Sequence, residues 1–537
     1  MNTKNKKNVL PKDGFTGLKE NFSADALSGF LVFLLALPLS LGIAGASNFP
    51  PIFGLVTAMI GGLVISLFAG SLLTIKGPAA GLIVIVAGSV TELGHGNNEL
   101  GWQLTLGAVV IAGILQIIFG ILKLGSLSDF FPLSAVHGML AAIGIIIISK
   151  QLHVLAGLNP LTAEGRPMVE PIELLLELKN TLANFFMHKD VVIIGLVCLL
   201  IVFGWPLIPN KTIRKIPSAL IVLLVSVPLG ILFDIHNTKD FTPLLEFNKG
   251  FTEIIAVNAN FDGFAELGTF IKYICMFALV GSLESLLTIK AIDELDSYKR
   301  RSNTNKDLIA VGIGNVIAGF LGGLPMISEV ARSSANVNNG AKTRWANFYH
   351  GLFILIFLIF AVSFSNLIPK AALAAMLIGV GWKLTHPREF GHMAKIGKDQ
   401  IAIFITTILF ILITDLLIGI GIGILLKLII HIARGVKPSN LFKANTEVSG
   451  NIIIIRNAAI FSNFTKIKKQ IHSFEFTEHI ILDLSGCFLV DHSVIENLYH
   501  IKNDFATECG SFTILGLDEF KNIGNSSHQL SAKKKIK

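Results

Sequence analysis

Lys76-Gly-Pro-Ala-Ala-Gly81 and Gly322-Gly-Leu-Pro-Met-Ile-Ser-Glu-Val-Ala-Arg332 are two breaks of one kind. Each enters a short apolar segment through Gly and Pro. In hydrocarbon, irregular backbone is tolerated only where protein buries it or where it lines a cavity. Broken segments at corresponding positions in two halves of a chain therefore point to a binding site near the middle of a membrane. Two questions follow: whether the chain around the breaks is a membrane body, and whether the breaks correspond.

Composition answers the first. Hydrophobic residues make up 52% of 537 and charged residues only 15%, with a mean hydropathy of +0.68. Soluble chains carry about 25% charged residues. The missing charge is replaced by apolar runs of the length that crosses a bilayer, about 17 to 25 residues. The 50 glycines follow no collagen-like period and suit close helix packing in lipid. Four cysteines, Cys198, Cys275, Cys487 and Cys509, are too few and too scattered for a disulfide framework or a zinc site. The first apolar run lacks a convincing A-x-A cleavage signal and reads as a retained span. The net charge of +8 sits mostly in loops and tails, which is a topology signal and excludes a nucleic-acid-binding face.

Hydropathy gives about fourteen segments, starting near residues 26, 52, 78, 103, 132, 189, 217, 266, 307, 327, 347, 370, 399 and 416. The breaks open the third and the tenth, which are equivalents if fourteen spans are two sevens. Charge tests the count. Lys4, Lys6, Lys7, Lys12 and Lys19 precede the first span, and the even-numbered connections carry Lys211, Arg214 and Lys215; Lys299, Arg300, Arg301 and Lys306; Lys342 and Arg344; and Lys383, Arg388, Lys395 and Lys398. The odd connections at 91–102 and 322–326 carry no Lys or Arg, and those at 151–188 and 235–265 mix a few basic residues with more acidic ones such as Glu164, Glu170, Glu173, Asp240 and Glu253. This positive-inside asymmetry places both termini in the cytoplasm of an inner-membrane, multi-pass protein. After residue 436 short buried-strand patterns alternate with helical ones, as Ile452-Ile-Ile-Ile-Arg456, Ile480-Ile-Leu-Asp-Leu484 and Ser511-Phe-Thr-Ile-Leu515 show, predicting a small α/β domain. The chain thus divides into an N-terminal cytoplasmic segment 1–25, a transmembrane domain 26–436, the α/β domain 437–527 and a basic disordered tail 528–537.

The chemistry should lie at the breaks. Two half-helices opening at mid-membrane present free N–H groups and partial positive charge, which suit an anion. Arg332 adds fixed charge and forked donors, followed by Ser333 and Ser334. Glu329 is three residues earlier; it either pairs with Arg332 and weakens the positive field, or makes the site proton-sensitive by releasing Arg332 when protonated. Glu284 lies inside the eighth segment, with Thr288 one helical turn on. A carboxylate with a hydroxyl suits Na⁺ or a transferable proton, the alternative being a carboxylate snorkelling towards Lys290. Pro38 is expected to unwind the first span and leave Ser40 as a donor. Asp415 reads as a span-junction residue and His137 as a packed or snorkelled histidine. No phosphate loop, catalytic triad or metal motif occurs, which argues against an ATP-driven pump or an enzyme.

The chain resembles the SulP anion transporters, the sulfate permeases of solute carrier family 26 type. The resemblance rests on Asp25-Ala-Leu-Ser-Gly29 with Leu35-Ala-Leu-Pro38, Lys76-Gly-Pro-Ala79, Val136-His-Gly-Met-Leu-Ala-Ala142, Gly281-Ser-Leu-Glu-Ser-Leu-Leu-Thr288, Gly312-Ile-Gly-Asn315 and Ala331-Arg-Ser-Ser-Ala-Asn336. It implies a polytopic α-helical membrane protein with a 7+7 inverted repeat of core and gate domains, elevator-like alternating access and a homodimer in lipid. The C-terminal region is similar to a STAS domain, through Ile480-Ile-Leu-Asp-Leu-Ser-Gly486 and Val490-Asp-His-Ser493. That likeness implies a possible cytoplasmic regulatory partner and puts Ser493 where related domains are phosphorylated; Val494-Ile495 replaces the usual Gly-Leu and favours a structural role. By resemblance, Gly77, Pro78, Ala79 and Ala80 with Ser328, Glu329, Arg332 and Ser333 fall where the anion binds, and Glu284 and Thr288 where Na⁺-coupled bicarbonate members hold their cation. Ala79 replaces a common Thr, and Glu329 a small or neutral residue. The expected function is secondary transport of sulfate or bicarbonate, coupled to Na⁺ or H⁺ and with no other cofactor. A nucleobase–proton symporter of the same fold, an anion channel and a non-transporting sensor are the alternatives.

Overall fold

The computed structural model describes residues 10–160, 168, 170–210, 213–235, 244–245, 256–360, 362–507, 510–523 and 528–535. Lys4, Lys6, Lys7, Lys211, Glu164, Asp240, Glu253 and Cys509, used above, lie outside them. The chain forms two compact units, residues 1–125 with 143–383, and residues 126–142 with 384–537.

A described helix stands at each of the fourteen apolar segments. Besides the two from the broken segments, eight belong wholly to the first unit: Gly14–Ala46, Ile52–Leu63, Asn98–Ile121, Lys189–Gly204, Ser218–Leu232, Leu267–Leu295, Thr304–Phe320 and Trp345–Phe360. Lys370–Leu384 lies in it but for its last residue, and Leu133–Leu155 runs from one unit into the other. The broken segments supply Ile83–Gly94, after one 3₁₀ turn, and Val330–Asn338. Lys398–Ile413 and Leu416–Ala433 belong to the second unit. Six described helices are long and apolar enough to cross a membrane. Two short helices, Pro171–Ala183 and Pro387–Ile396, occupy connections read above as loops. Their hydropathy is too low and their length too short for a span, so a search for spans passes over them.

The first helix differs from expectation. It begins at Gly14, not near 26, and its 33 residues run unbroken through Pro38. At 1.5 Å per residue it is about 50 Å long, well beyond a hydrocarbon core of about 30 Å. Polar residues 14–25 hid its first turns from hydropathy. Asp25 near that boundary is buried and accepts the N–H groups of Lys342 and Thr343 at 2.7 and 3.1 Å.

Helices approach closely where glycines face each other. A Cβ on Gly113 would lie 2.7 Å from the Gly312 carbonyl oxygen, and one on Gly312 would lie 2.6 Å from that of Gly113. The segments entering the two half-helices, β1 (Ile75–Pro78) and β2 (Met326–Glu329), pair antiparallel, with Ile75 opposite Glu329 and Pro78 opposite Met326. Beside them Lys76 and Asp307 are fully buried, with Nζ 2.9 Å from each Asp307 oxygen. Asp307 also accepts the N–H groups of Gly70 and Ser71, each at 3.0 Å.

In the second unit, β3 (Asn445–Ser449), β4 (Ile452–Ala459), β5 (His479–Val490), β6 (Ser511–Leu515), β7 (Phe520–Asn522) and β8 (Lys533–Lys535) form one sheet. The parallel pairs β4–β5 and β5–β6 are bridged by helices Phe464–Ile471 and His492–Thr507, as parallel strands require. Ile455, Leu482, Leu498 and Phe505 are in its core. The tail expected to be disordered from 528 instead supplies β8, which pairs with Leu489, Val490 and β7. Three consecutive lysines give no strand signal; backbone bonding to an open edge makes the strand. Nor does compactness follow the composition boundary at 436. Lys427 and His431, on Leu416–Ala433, reach Asp491 at the end of β5 at 2.7 and 3.6 Å. Burial raises the Asp491 carboxyl, but Lys427 and then His431 outweigh it and hold the group well below the usual carboxylate range. Ser493 is buried, its Oγ accepting the Leu133 N–H at 3.3 Å, which is a packing position.

Removing one partner of a buried ion pair leaves the other uncompensated, at about 3–5 kcal/mol. Asp307→Ala is expected to lower the thermal unfolding temperature of the detergent-solubilised protein markedly, and Lys76→Met/Asp307→Leu to regain most of the loss.

Candidate functional site

The sequence 77–81 is a crossing point. Gly77 and Pro78 end β1, Ala79 caps the 3₁₀ turn Ala80–Leu82, and Ile83–Gly94 continues it. The first N–H groups of a helix have no partner within it, and Ala79 offers no side-chain cap. Two glycines let charged groups lie against this segment. A Cβ on Gly77 would be 2.5 Å from Nη1 of Arg332, and one on Gly81 would be 2.0 Å from Oε1 of Glu284. A guanidinium therefore flanks one end of the segment and a carboxylate the other.

Arg332 comes from the second half-helix and is fully buried. Its Nε, Nη1 and Nη2 make no hydrogen bond within the protein; its nearest acid, Oε2 of Glu329, is 4.0 Å from Nε. Glu329 is mainly a cap: its Oε2 accepts the backbone N–H of Arg332 at 2.7 Å. This corrects the expectation of two open helix N-termini. The carboxylate of Glu329 covers the second one, leaving the 79–81 end and the Arg332 side chain as the free donors. A sequence shows that an acid is near; it does not show that the acid closes on its own backbone.

Ser328 and Ser333 are engaged within the protein. The Ser328 hydroxyl bonds to Lys76 at 2.8 Å and to Asp307 at 3.1 Å. Ser333 Oγ accepts the Ile75 N–H at 2.8 Å and donates to the Glu329 carbonyl at 2.5 Å. Both hydroxyls hold the breaks together, and each gives its hydrogen to a protein acceptor. Ser40, by contrast, is buried with its Oγ unpartnered, although the helix around it is not unwound.

Glu284 and Thr288 are buried on Leu267–Leu295, one turn apart, and Oε1 of Glu284 has no hydrogen-bond partner. The snorkelling alternative does not fit a buried carboxylate seated on Gly81. No group of three or more His, Cys, Asp or Glu side chains suited to a metal ion occurs among the described residues. Sequence reading missed His350, which is fully buried on Trp345–Phe360 with both ring nitrogens unpartnered and within electrostatic range of Arg332. Its signal was a lone imidazole in an apolar run. Lys76 was quoted as part of a motif but not read as an intramembrane charge, and its partner lies 231 residues away.

Residues 22–407 match the model of the sulfate permease family. The putative sulfate transporter YvdB of Bacillus subtilis is 27% identical over 93% of this chain and 92% of its own length. The bicarbonate transporter BicA of Picosynechococcus is 26% identical over 77% of this chain and 71% of its own. Among solved structures, the transmembrane domain of a cyanobacterial BicA superposes with a TM-score of 0.64 at 23% identity, covering 75% of this chain and 97% of that one. SLC26A9 superposes with a TM-score of 0.67 at 16% identity, covering 93% and 85%.

Gly77→Ala and Gly81→Ala push on the ends of flexible side chains, so both are expected to fold with unfolding temperatures within a few degrees of the parent. Uptake of labelled inorganic anion into proteoliposomes should nonetheless fall at least about tenfold, a displaced contact of this kind costing about 1.5–3 kcal/mol.

Proposed function

The chain belongs to the sulfate permease family, and on that premise we propose that it is a secondary transporter of a small inorganic anion of the sulfate or bicarbonate class. It is a multi-pass membrane protein and not an enzyme. The observation that carries the reading is Arg332: a fully buried guanidinium with no hydrogen bond of its own, lying against the segment that opens a half-helix. A buried cation is strongly disfavoured unless an anion pairs with it. An oxyanion accepts two parallel bonds from the guanidinium fork and further bonds from the N–H groups at 79–81. Ser40 and His350 supply the remaining polar surface.

Glu284 is the group for coupling. Its free oxygen and the Thr288 hydroxyl offer hard donors to Na⁺, and protonation of the same oxygen would serve H⁺. Either cation neutralises a carboxylate at the far end of 77–81 from Arg332, so its arrival favours binding of the anion. Transport then follows if the loaded site is exposed to each side in turn, by elevator-type movement, in a homodimer whose α/β domain faces the cytoplasm of the inner membrane.

Uptake of labelled sulfate, bicarbonate and uracil, each with and without an imposed Na⁺ or H⁺ gradient, tests the reading. Sulfate or bicarbonate should accumulate; uracil uptake without anion flux would identify a nucleobase symporter instead. Arg332→Gln should raise the KM for the anion by about ten- to a hundredfold. Glu284→Gln should abolish gradient-driven accumulation, and a variant that still concentrates the anion would remove Glu284 from coupling.

A further inference from the structure

A cavity of about 420 Å³ opens in the first unit, away from Arg332 and Glu284. Its polar lining comes from Asn48, Lys150, Gln151, Asn159 and Lys370, and no Asp or Glu occurs among its described lining residues. Lys150 brings an ammonium group to this space, and low-dielectric walls focus its field.

The donors are set in place. Lys150 Nζ donates to the carbonyl of Ala46 at 2.7 Å, where the first helix ends, and lies 3.4 Å from Oδ1 of Asn48. Orphan carbonyls at a helix C-terminus suit a cation, so the ammonium is anchored with one hydrogen to spare. Asn48 adopts the left-handed conformation, φ 59°, which asparagine tolerates better than most residues. Its Oδ1 faces Lys150, while its Nδ2 is buried without a hydrogen-bond partner. An unpartnered amide donor beside an anchored ammonium suits the same ligand, an oxygen-rich anion.

Gly42 lines the cavity and lies two residues from Ser40, about 3 Å along the helix axis. Gln151, near the end of Leu133–Leu155, also lines it, as do Asn159 and Met168 of the 151–188 connection and Leu245 of the 235–265 connection. Charge asymmetry assigns both connections to the side opposite the Lys-rich N-terminus. We propose that this cavity is an outer anion-docking vestibule, in which Lys150 and Asn48 hold a small oxyanion arriving from outside before it moves to Arg332. Its role in transport rests on the function proposed above; its capacity to bind an anion does not.

The test uses cysteine chemistry on intact cells expressing Asn48→Cys or, as a second variant, Gln151→Cys. An anionic sulfonate methanethiosulfonate reagent and its trimethylammonium counterpart are added outside, and modification is read by mass after purification, with the parent chain as blank. The anionic reagent should react at least about tenfold faster, should be slowed by added sulfate or bicarbonate, and should lose its advantage when Lys150→Gln is combined with either cysteine. Equal rates, a preference for the cationic reagent, or no modification at both positions would overturn the vestibule. If the parent chain transports neither anion, the transport reading falls, while the reagent preference still decides whether the cavity binds anions.

Discussion

Backbone that is not helical cannot lie in an apolar body unless its N–H and C=O groups find partners. Residues 70–79 and 323–329 are two such stretches, and much of the first unit serves them. They pair with each other as β1 and β2. What that pairing leaves open is met by side chains from other helices. Asn315 bonds both the N–H and the carbonyl of Met326, at 2.5 and 3.1 Å. Asp307 takes the N–H groups of Gly70 and Ser71, and Asn336 donates to the Leu73 carbonyl at 2.8 Å. Ser285 accepts the Ser328 N–H at 3.2 Å. The Gly-Ile-Gly-Asn and Ala-Arg-Ser-Ser-Ala-Asn motifs thus have a local physical reason: their last residues are backbone partners for the breaks.

The same constraint sorts the charges. Lys76 and Asp307 neutralise each other beside the breaks and, with Ser328, bind β1 and β2 to Thr304–Phe320. Glu329 is spent on a backbone N–H. Arg332 is left with a distant acid and no hydrogen bond, and Glu284 with a free oxygen, at opposite ends of one five-residue segment. A fixed cation against one end of the segment and a carboxylate against the other is the arrangement on which the proposal of coupled anion binding rests. The same segment carries both because glycine at 77 and 81 leaves room for them.

Much of this was legible in the sequence. Apolar runs of span length fix thirteen of the fourteen segment starts to within a few residues, because hydropathy and breaks mark both ends of a buried helix. The exception is the first helix, whose start at Gly14 is polar and carries no such mark. Glycine and proline marked the breaks, and the charges Glu284 and Arg332, read from the sequence as intramembrane, lie against the segment that one break opens. What stayed hidden was pairing across long separations. Nothing local ties Lys76 to Asp307, Ser333 to Ile75, or Asp491 to Lys427. Such bonds decide which hydroxyl hydrogens remain free, and those of Ser328 and Ser333 are taken up by Asp307 and the Glu329 carbonyl. The lysine-rich β8 was hidden for a related reason: the edge it completes, not its own composition, makes it a strand.

The central claim is that Arg332 and the 79–81 N–H groups bind an inorganic anion. Cryo-electron microscopy of the protein in lipid nanodiscs, with sulfate, with bicarbonate and with gluconate as the bulky control, addresses it directly. The account predicts density within hydrogen-bond reach of the Arg332 guanidinium and of Ala80 in sulfate or bicarbonate, and none there in gluconate. Maps in which Arg332 is closed onto Glu329 in all three salts, with no anion density beside it, would contradict the account.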